Sequence, residues 1–121
     1  MRQSGMFLSP GYLLLLLIQT KNIMYLIRET FNAKPGKAKE LVKKFKQAAP
    51  HFEKGGEGKN FKIMTDAVGN YWTVVIEFEA EDIGKFFTNL RNPSATPELQ
   101  EIMKGYIDLI EGGKREIFVL E

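Results

Sequence analysis

Apolar positions along this chain recur with two different periods, and together they sort it into strands and helices. From Ile23 to Phe31, "IMYLIRETF" is rich in β-branched and aromatic residues, and "NAKPG" closes the run with turn formers, which predicts a first strand. Pro35 suits the first turn of a following helix, whose apolar positions Ala38, Leu41, Val42, Phe45, Ala48 and Phe52 return every three or four residues. The glycine-rich "EKGGEGKN" breaks that period, and "FKIMTDA" resumes as an alternating strand. "VGN" then reads as a tight turn into the strand "YWTVVIEFE". With Gly69 and Asn70 at the turn centre, Val68 faces Tyr71, Asp66 faces Thr73, Met64 faces Val75 and Lys62 faces Glu77. The other face pairs Thr65 with Val74, Ile63 with Ile76 and Phe61 with Phe78, so both strands separately sort their residues into an apolar and a mixed face.

Further on, Ile83, Phe86, Phe87 and Leu90 define a short helix that "RNPSATP" stops. Thr96 is the expected N-cap of the next, with Pro97 in its first turn, and Leu99, Ile102, Met103, Tyr106 and Ile110 form its apolar stripe. Gly112 and Gly113 are expected to end that helix, and "KREIFVL" is the last strand. The order is βαββα(α)β, an α+β, ferredoxin-like βαββαβ arrangement with an antiparallel sheet.

At 121 residues the chain has room for one core, and 44% apolar with 26% charged residues matches a globular protein. The domain is expected over 23–121, because "MYLIRETFNAKPGKAKELV" from Met24 onward is already a complete strand-loop-helix unit. Residues 1–22 form an N-terminal extension that reads as a leader, an ordered arm or an over-extended start. The apolar run Tyr12–Ile18 is far below the roughly 20 residues a membrane-crossing helix needs. As an export signal it has only Arg2 before it and no small-x-small cleavage site after it. The absence of cysteine excludes disulfides, thiolate metal sites and cysteine nucleophiles.

A sheet covered by helices on one face leaves Leu26, Met64 and Val75 on the other, more apolar surface than a lone subunit should show. A homodimer joined through these sheet faces is therefore expected. Arg28, Lys62, Asp66, Thr73 and Glu77, with Arg115 as a further candidate, share that face and need partners once it is covered, which makes Arg28, Lys62 and Glu77 a structural charge cluster.

The strand and helix order, "PGK" opening the first helix, the strand "NYWTVVIEFE" and the closing "REIFVLE" resemble the dimeric α+β barrel superfamily over residues 24–121. That superfamily includes antibiotic-biosynthesis monooxygenases, haem-degrading monooxygenases and NIPSNAP-like proteins. The resemblance implies a dimeric α/β barrel with a ligand site between each sheet and its own helices or near the barrel mouth. Haem-degrading members use an asparagine, tryptophan and histidine set. Trp72 is present here, but Arg28 and Thr30 stand where the asparagine would be, and His51 lies on the first helix, so the set is not reproduced. Cofactor-independent oxygenases of the superfamily position an aromatic substrate with Tyr, Trp and Asn side chains, types supplied here by Asn70, Trp72 and Tyr106.

Each candidate also has a plainer role. His51, the one histidine, can simply meet carbonyls at the helix end; Asn70 suits a turn; Trp72 on the helix-facing side suits a core. The lysines Lys34, Lys37, Lys39, Lys43, Lys44 and Lys46 form a basic face with no interleaved aromatics, and a net charge of +2 gives no case for nucleic acid. "EKGGEGKN" lacks the spacing of a phosphate-binding loop. The expectation is a cytoplasmic homodimer, without metal or cofactor and without a nucleic-acid or membrane partner. A small aromatic ligand is expected on the helix side of the sheet between Trp72, Phe87, Tyr106 and His51. It either reacts there in monooxygenase-like fashion or is only held, in a non-catalytic binding or interaction module.

Overall fold

The computed structural model describes residues 9–11, 23–91 and 95–121. The run Tyr12–Ile18 lies outside them. The elements are β1 (Met24–Ala33), α1 (Ala38–Lys54), β2 (Lys59–Thr65), β3 (Thr73–Ala80), α2 (Ile83–Arg91), α3 (Pro97–Met103), a single 3-10 turn (Tyr106–Leu109) and β4 (Ile110–Leu120). The strands pair antiparallel in the order β2-β3-β1-β4, which is the expected ferredoxin-like arrangement with β1 beside β3.

Alternation along the strands decides the layers. In β3, Val74, Phe78 and Ala80 are buried, while Val75, Glu77 and Glu79 point to the opposite face. On α1 the stripe Leu41, Phe45 and Ala48 is buried, with Leu41 and Phe45 packed in one cluster with Ala33, Val74 and Leu109. Fully burying a side chain such as Leu41 stabilises the fold by roughly 1.5–3 kcal/mol. A second buried cluster of Ile27, Phe78, Ala80 and Phe86 sits under α2, and Ile76 packs against both clusters.

The hairpin register holds at Lys62↔Glu77, Ile63↔Ile76, Met64↔Val75 and Thr65↔Val74. Its ends differ from the two-residue turn read from the sequence. The Asp66 carboxylate accepts the Thr73 amide at 2.9 Å and the Thr73 hydroxyl donates to the Asn70 carbonyl at 2.9 Å, which closes a longer loop. Trp72 has φ 63° and lies in that loop, so it is outside β3 rather than within it. At the other end a register shift follows Lys59, where Asn60 has φ 57°; Phe61 and Phe78 nevertheless stack at 4.8 Å.

Two further boundaries are corrected. Pro35 precedes α1, because Pro35 and Gly36 (φ 78°) are the centre of a turn closed by the Lys37 amide on the Lys34 carbonyl at 2.9 Å. The expected third helix ends at Met103, and Gly105 (φ 78°) leads into the 3-10 turn. Gly112 and Gly113 therefore stand inside β4, opposite Asn32 and Phe31, and do not terminate a helix. A Cβ at Gly113 would collide with the Thr30 carbonyl oxygen, so close approach of β1 and β4 requires the glycine.

Candidate functional site

Between α1, α2, the segment after α3 and the sheet there is a cavity of about 270 Å³, located where the two buried clusters meet. Its walls are largely phenylalanine: Phe31 from β1, Phe45 and Phe52 from α1, Phe61 from β2, Phe78 from β3 and Phe86 from α2. Phe52 stacks with Phe61 at 6.2 Å, Phe61 with Phe78 at 4.8 Å, and Phe78 leans on Phe86 at 5.9 Å, forming one continuous aromatic wall. Phe31 and Phe45 meet at 5.1 Å, with Tyr106 6.5 Å from Phe45. These ring pairs are ordinary offset or tilted contacts, and the surface they leave suits an apolar, flat ligand.

Polar groups enter this cavity from β1, β4 and the loop before β2. Glu29 lies in β1 between buried Ile27 and half-buried Phe31, with Arg115 of β4 as its register partner. The Arg115 Nε donates to Glu29 Oε2 at 2.6 Å, and the guanidinium carbon lies 5.6 Å from the Phe86 ring centre. The Glu29 side chain is 16% exposed and that of Arg115 40%, so the pair reaches from the interior toward solvent. Glu57 is the other ionisable carboxyl on the wall. Burial raises it above the ordinary glutamate value, and the charge of Lys85 acts against that shift.

Of the residues expected as walls, Tyr106 lines this cavity; Trp72, Phe87 and His51 do not. Trp72 is 42% exposed in the hairpin loop, where its carbonyl accepts the Ala33 amide at 2.8 Å. Phe87 is 45% exposed and touches the site only through Phe86, edge-on at 5.5 Å. His51 is half-buried in the last turn of α1, and its carbonyl accepts the Gly55 amide at 3.0 Å. Helical phase separates them: Phe52 points into the cavity and its neighbour does not.

Arg115 reads from the sequence as a candidate for the open sheet face, but it lies on the helix side, opposite Glu29, a residue the sequence reading leaves out although it carries a signal. Glu29 stands in phase with Ile27, Phe31 and Ala33, a charged residue on the core-facing side of a strand. The Arg115 signal needs the β1–β4 register, which the assignment of Gly112 and Gly113 to a helix end obscured.

A second, acidic cleft of about 410 Å³ adjoins the cavity and shares Glu57 and Phe86 with it. Glu53, Glu79, Glu81 and Asp82 line it together with Lys59 and Lys85. Among the described residues, no group of three or more acidic or histidine side chains is placed to hold a metal ion.

On the opposite sheet face Arg28 Nε donates to Glu77 at 2.7 Å, and Arg28 lies 3.9 Å from Glu116. Lys62 sits across from Glu77 in the register, while Arg28 is the carboxylate's close ion-pair partner. Arg28 also lies 5.2 Å from the centre of the Phe118 ring, one of the exposed apolar side chains of this face with Met64 and Leu120. The exposed lysines of α1 include an exception in Lys44, whose ammonium donates to the Ile102 and Lys104 carbonyls at 3.3 and 2.7 Å and so closes the end of α3. No helix among the described residues is long and apolar enough to cross a membrane.

The chain matches no family model, and no curated protein resembles it significantly in sequence. Solved structures resemble it in fold. A NIPSNAP family protein from Agrobacterium tumefaciens superposes with a TM-score of 0.65 at 14% identity, covering 78% of this chain and 90% of its own. A NIPSNAP-like domain protein from Burkholderia xenovorans gives 0.65 at 19% identity, over 81% and 85%. A candidate antibiotic biosynthesis monooxygenase from Chloroflexus aurantiacus gives 0.62 at 15% identity, over 81% and 93%. At these identities the likeness establishes the fold: a ferredoxin-like α+β domain of the architecture seen in NIPSNAP-like and monooxygenase-like proteins.

Proposed function

We propose that this protein binds a small aromatic compound in the cavity between its sheet and helices, and that it does so as a homodimer joined through the open sheet faces. The observation that carries this reading is the phenylalanine-lined space of about 270 Å³, partly open to solvent and furnished with a few polar groups. Its volume is near the lower end of the roughly 300–1,000 Å³ common for ligand pockets. The dimer is supported by the exposed Met64, Phe118 and Leu120 on the other sheet face, around an ion pair that would gain strength on exclusion of water.

Ala49 lies on the cavity side of α1 and is the smallest side chain in the wall. The Ala49→Trp variant is expected to fill the space and reduce naphthalene binding, measured by titration calorimetry, at least about tenfold. Unchanged naphthalene affinity in a folded variant would place the ligand elsewhere.

A monooxygenase-like reaction on the bound ring is the second reading. Tyr106, Glu29 and Arg115 on one apolar cavity support it, as does the candidate monooxygenase among the structural neighbours. Oxygen consumption that depends on a bound aromatic compound and disappears in Ala49→Trp is its test. Binding without any turnover leaves the non-catalytic role.

A further inference from the structure

A charged pair on the core-facing side of a sheet has to be accounted for. Ile27, Phe31, Val74, Ile76 and Phe78 occupy the surrounding helix-side positions, and an apolar side chain of similar volume at 29 would pack there without desolvating a carboxylate. The pair is also not a surface ornament, since the Glu29 side chain is 16% exposed and both residues form cavity wall. The Nε–Oε2 bond occupies one of five guanidinium N–H groups and one of two carboxylate oxygens, which leaves hydrogen-bonding capacity on both partners at the edge of an apolar space.

We infer that Glu29 and Arg115 determine specificity in this cavity, selecting an aromatic ligand that carries a neutral group able both to donate and to accept a hydrogen bond. The inference rests on the ligand-binding reading above. A hydroxyl is the smallest such group: its oxygen accepts from a guanidinium N–H while its proton is donated to the carboxylate. A ligand carboxylate satisfies Arg115 but sets its charge against Glu29. A ligand ammonium satisfies Glu29 but is repelled by Arg115. Glu57, the remaining ionisable carboxyl of the wall, has Lys85 as its own opposite charge, so the balance at the Glu29–Arg115 end is not overturned from there. The Phe86 ring, 5.6 Å from the guanidinium carbon, attracts the cation and favours its position at the cavity wall.

Four probes with one ring system separate the possibilities: naphthalene, 2-naphthylmethanol, 2-naphthoate and 2-naphthylmethylammonium, titrated calorimetrically into the full chain. The alcohol is expected to bind about tenfold or more tighter than naphthalene, and both ions more weakly than the alcohol by a similar factor. Single substitutions then reverse the selection by sign. Glu29→Gln should gain affinity for the carboxylate, and Arg115→Gln should gain affinity for the ammonium, each by about tenfold relative to the parent chain. A merely structural pair would lower all four affinities together. If naphthalene binds but the alcohol has no advantage in the parent chain, or if neither substitution shifts the charge preference, the selection fails while the cavity reading stands. If none of the probes binds the parent chain, the cavity reading itself falls and takes the selection with it. The head-group series in the parent chain decides the matter even where a variant does not fold.

Discussion

Glu57 gives the site a group whose ionisation can be followed without any ligand. Its folded-state value is raised by burial, with Lys85 opposing, so the folded chain keeps a proton that the unfolded chain has already released. The sign follows from linkage: this group's relative contribution to stability is fully present below its unfolded value and is lost as pH rises through the higher folded value. Glu57→Gln removes the loss. Its stability relative to the parent chain is therefore expected to improve as pH rises from the ordinary glutamate range through the higher folded value and then level off, as read from urea unfolding at each pH. A difference that stays flat with pH would show that Glu57 is no more shielded in the folded chain than in the unfolded one.

At the scale of elements, the β1–β4 ladder is the least obvious from composition and the most consequential, since it brings Arg115 to Glu29. It depends on Gly113, where any Cβ would meet the Thr30 carbonyl, and much less on Gly112, whose nearest neighbour is the Asn32 side chain at 4.0 Å. Gly113→Ala is accordingly expected to destabilise by about 1–3 kcal/mol, whereas Gly112→Ala should remain within about 0.5 kcal/mol of the parent. Equal costs in chemical denaturation would mean that strand approach is not what the second glycine provides. The helix-end signals behaved unequally for a physical reason. Thr96 does cap α3, accepting the Leu99 amide at 3.2 Å, because Ser or Thr before Pro has few competing roles. A Gly-Gly pair, by contrast, serves a helix end or a tightly packed strand equally well, and only the neighbouring strand decides.

For the whole molecule, the proposed association rests on one sheet face being covered by helices and the other not. Val75 lies on the open face between Thr30 of β1 and Met64 of β2. Val75→Glu places an unpaired charge there and is expected to weaken the proposed dimer about a hundredfold, measured by sedimentation equilibrium, with the subunit still folded. A monodisperse monomer of the unmodified chain at micromolar concentration would remove the dimer altogether.

The sequence by itself determined the order of elements, the antiparallel sheet, the neighbouring of β1 and β3 and the central hairpin register. These follow from local periodicity, which is written in successive residues and survives small errors of boundary. It also brought Arg28, Lys62 and Glu77 together on one face, because β1 neighbours β3, whereas the direct pairing of Arg28 with Glu77 came from the β1–β3 register. Only the tertiary structure decided which side chains share a cavity. Trp72 leaves the strand because Asp66 and Thr73 close the hairpin early; Phe52 rather than His51 turns inward through helical phase; and Arg115 reaches Glu29 across more than eighty intervening residues through a ladder that Gly113 permits. Periodicity specifies the face on which a residue lies, whereas a site needs residues from separate elements at a few ångströms, and that distance is set by packing.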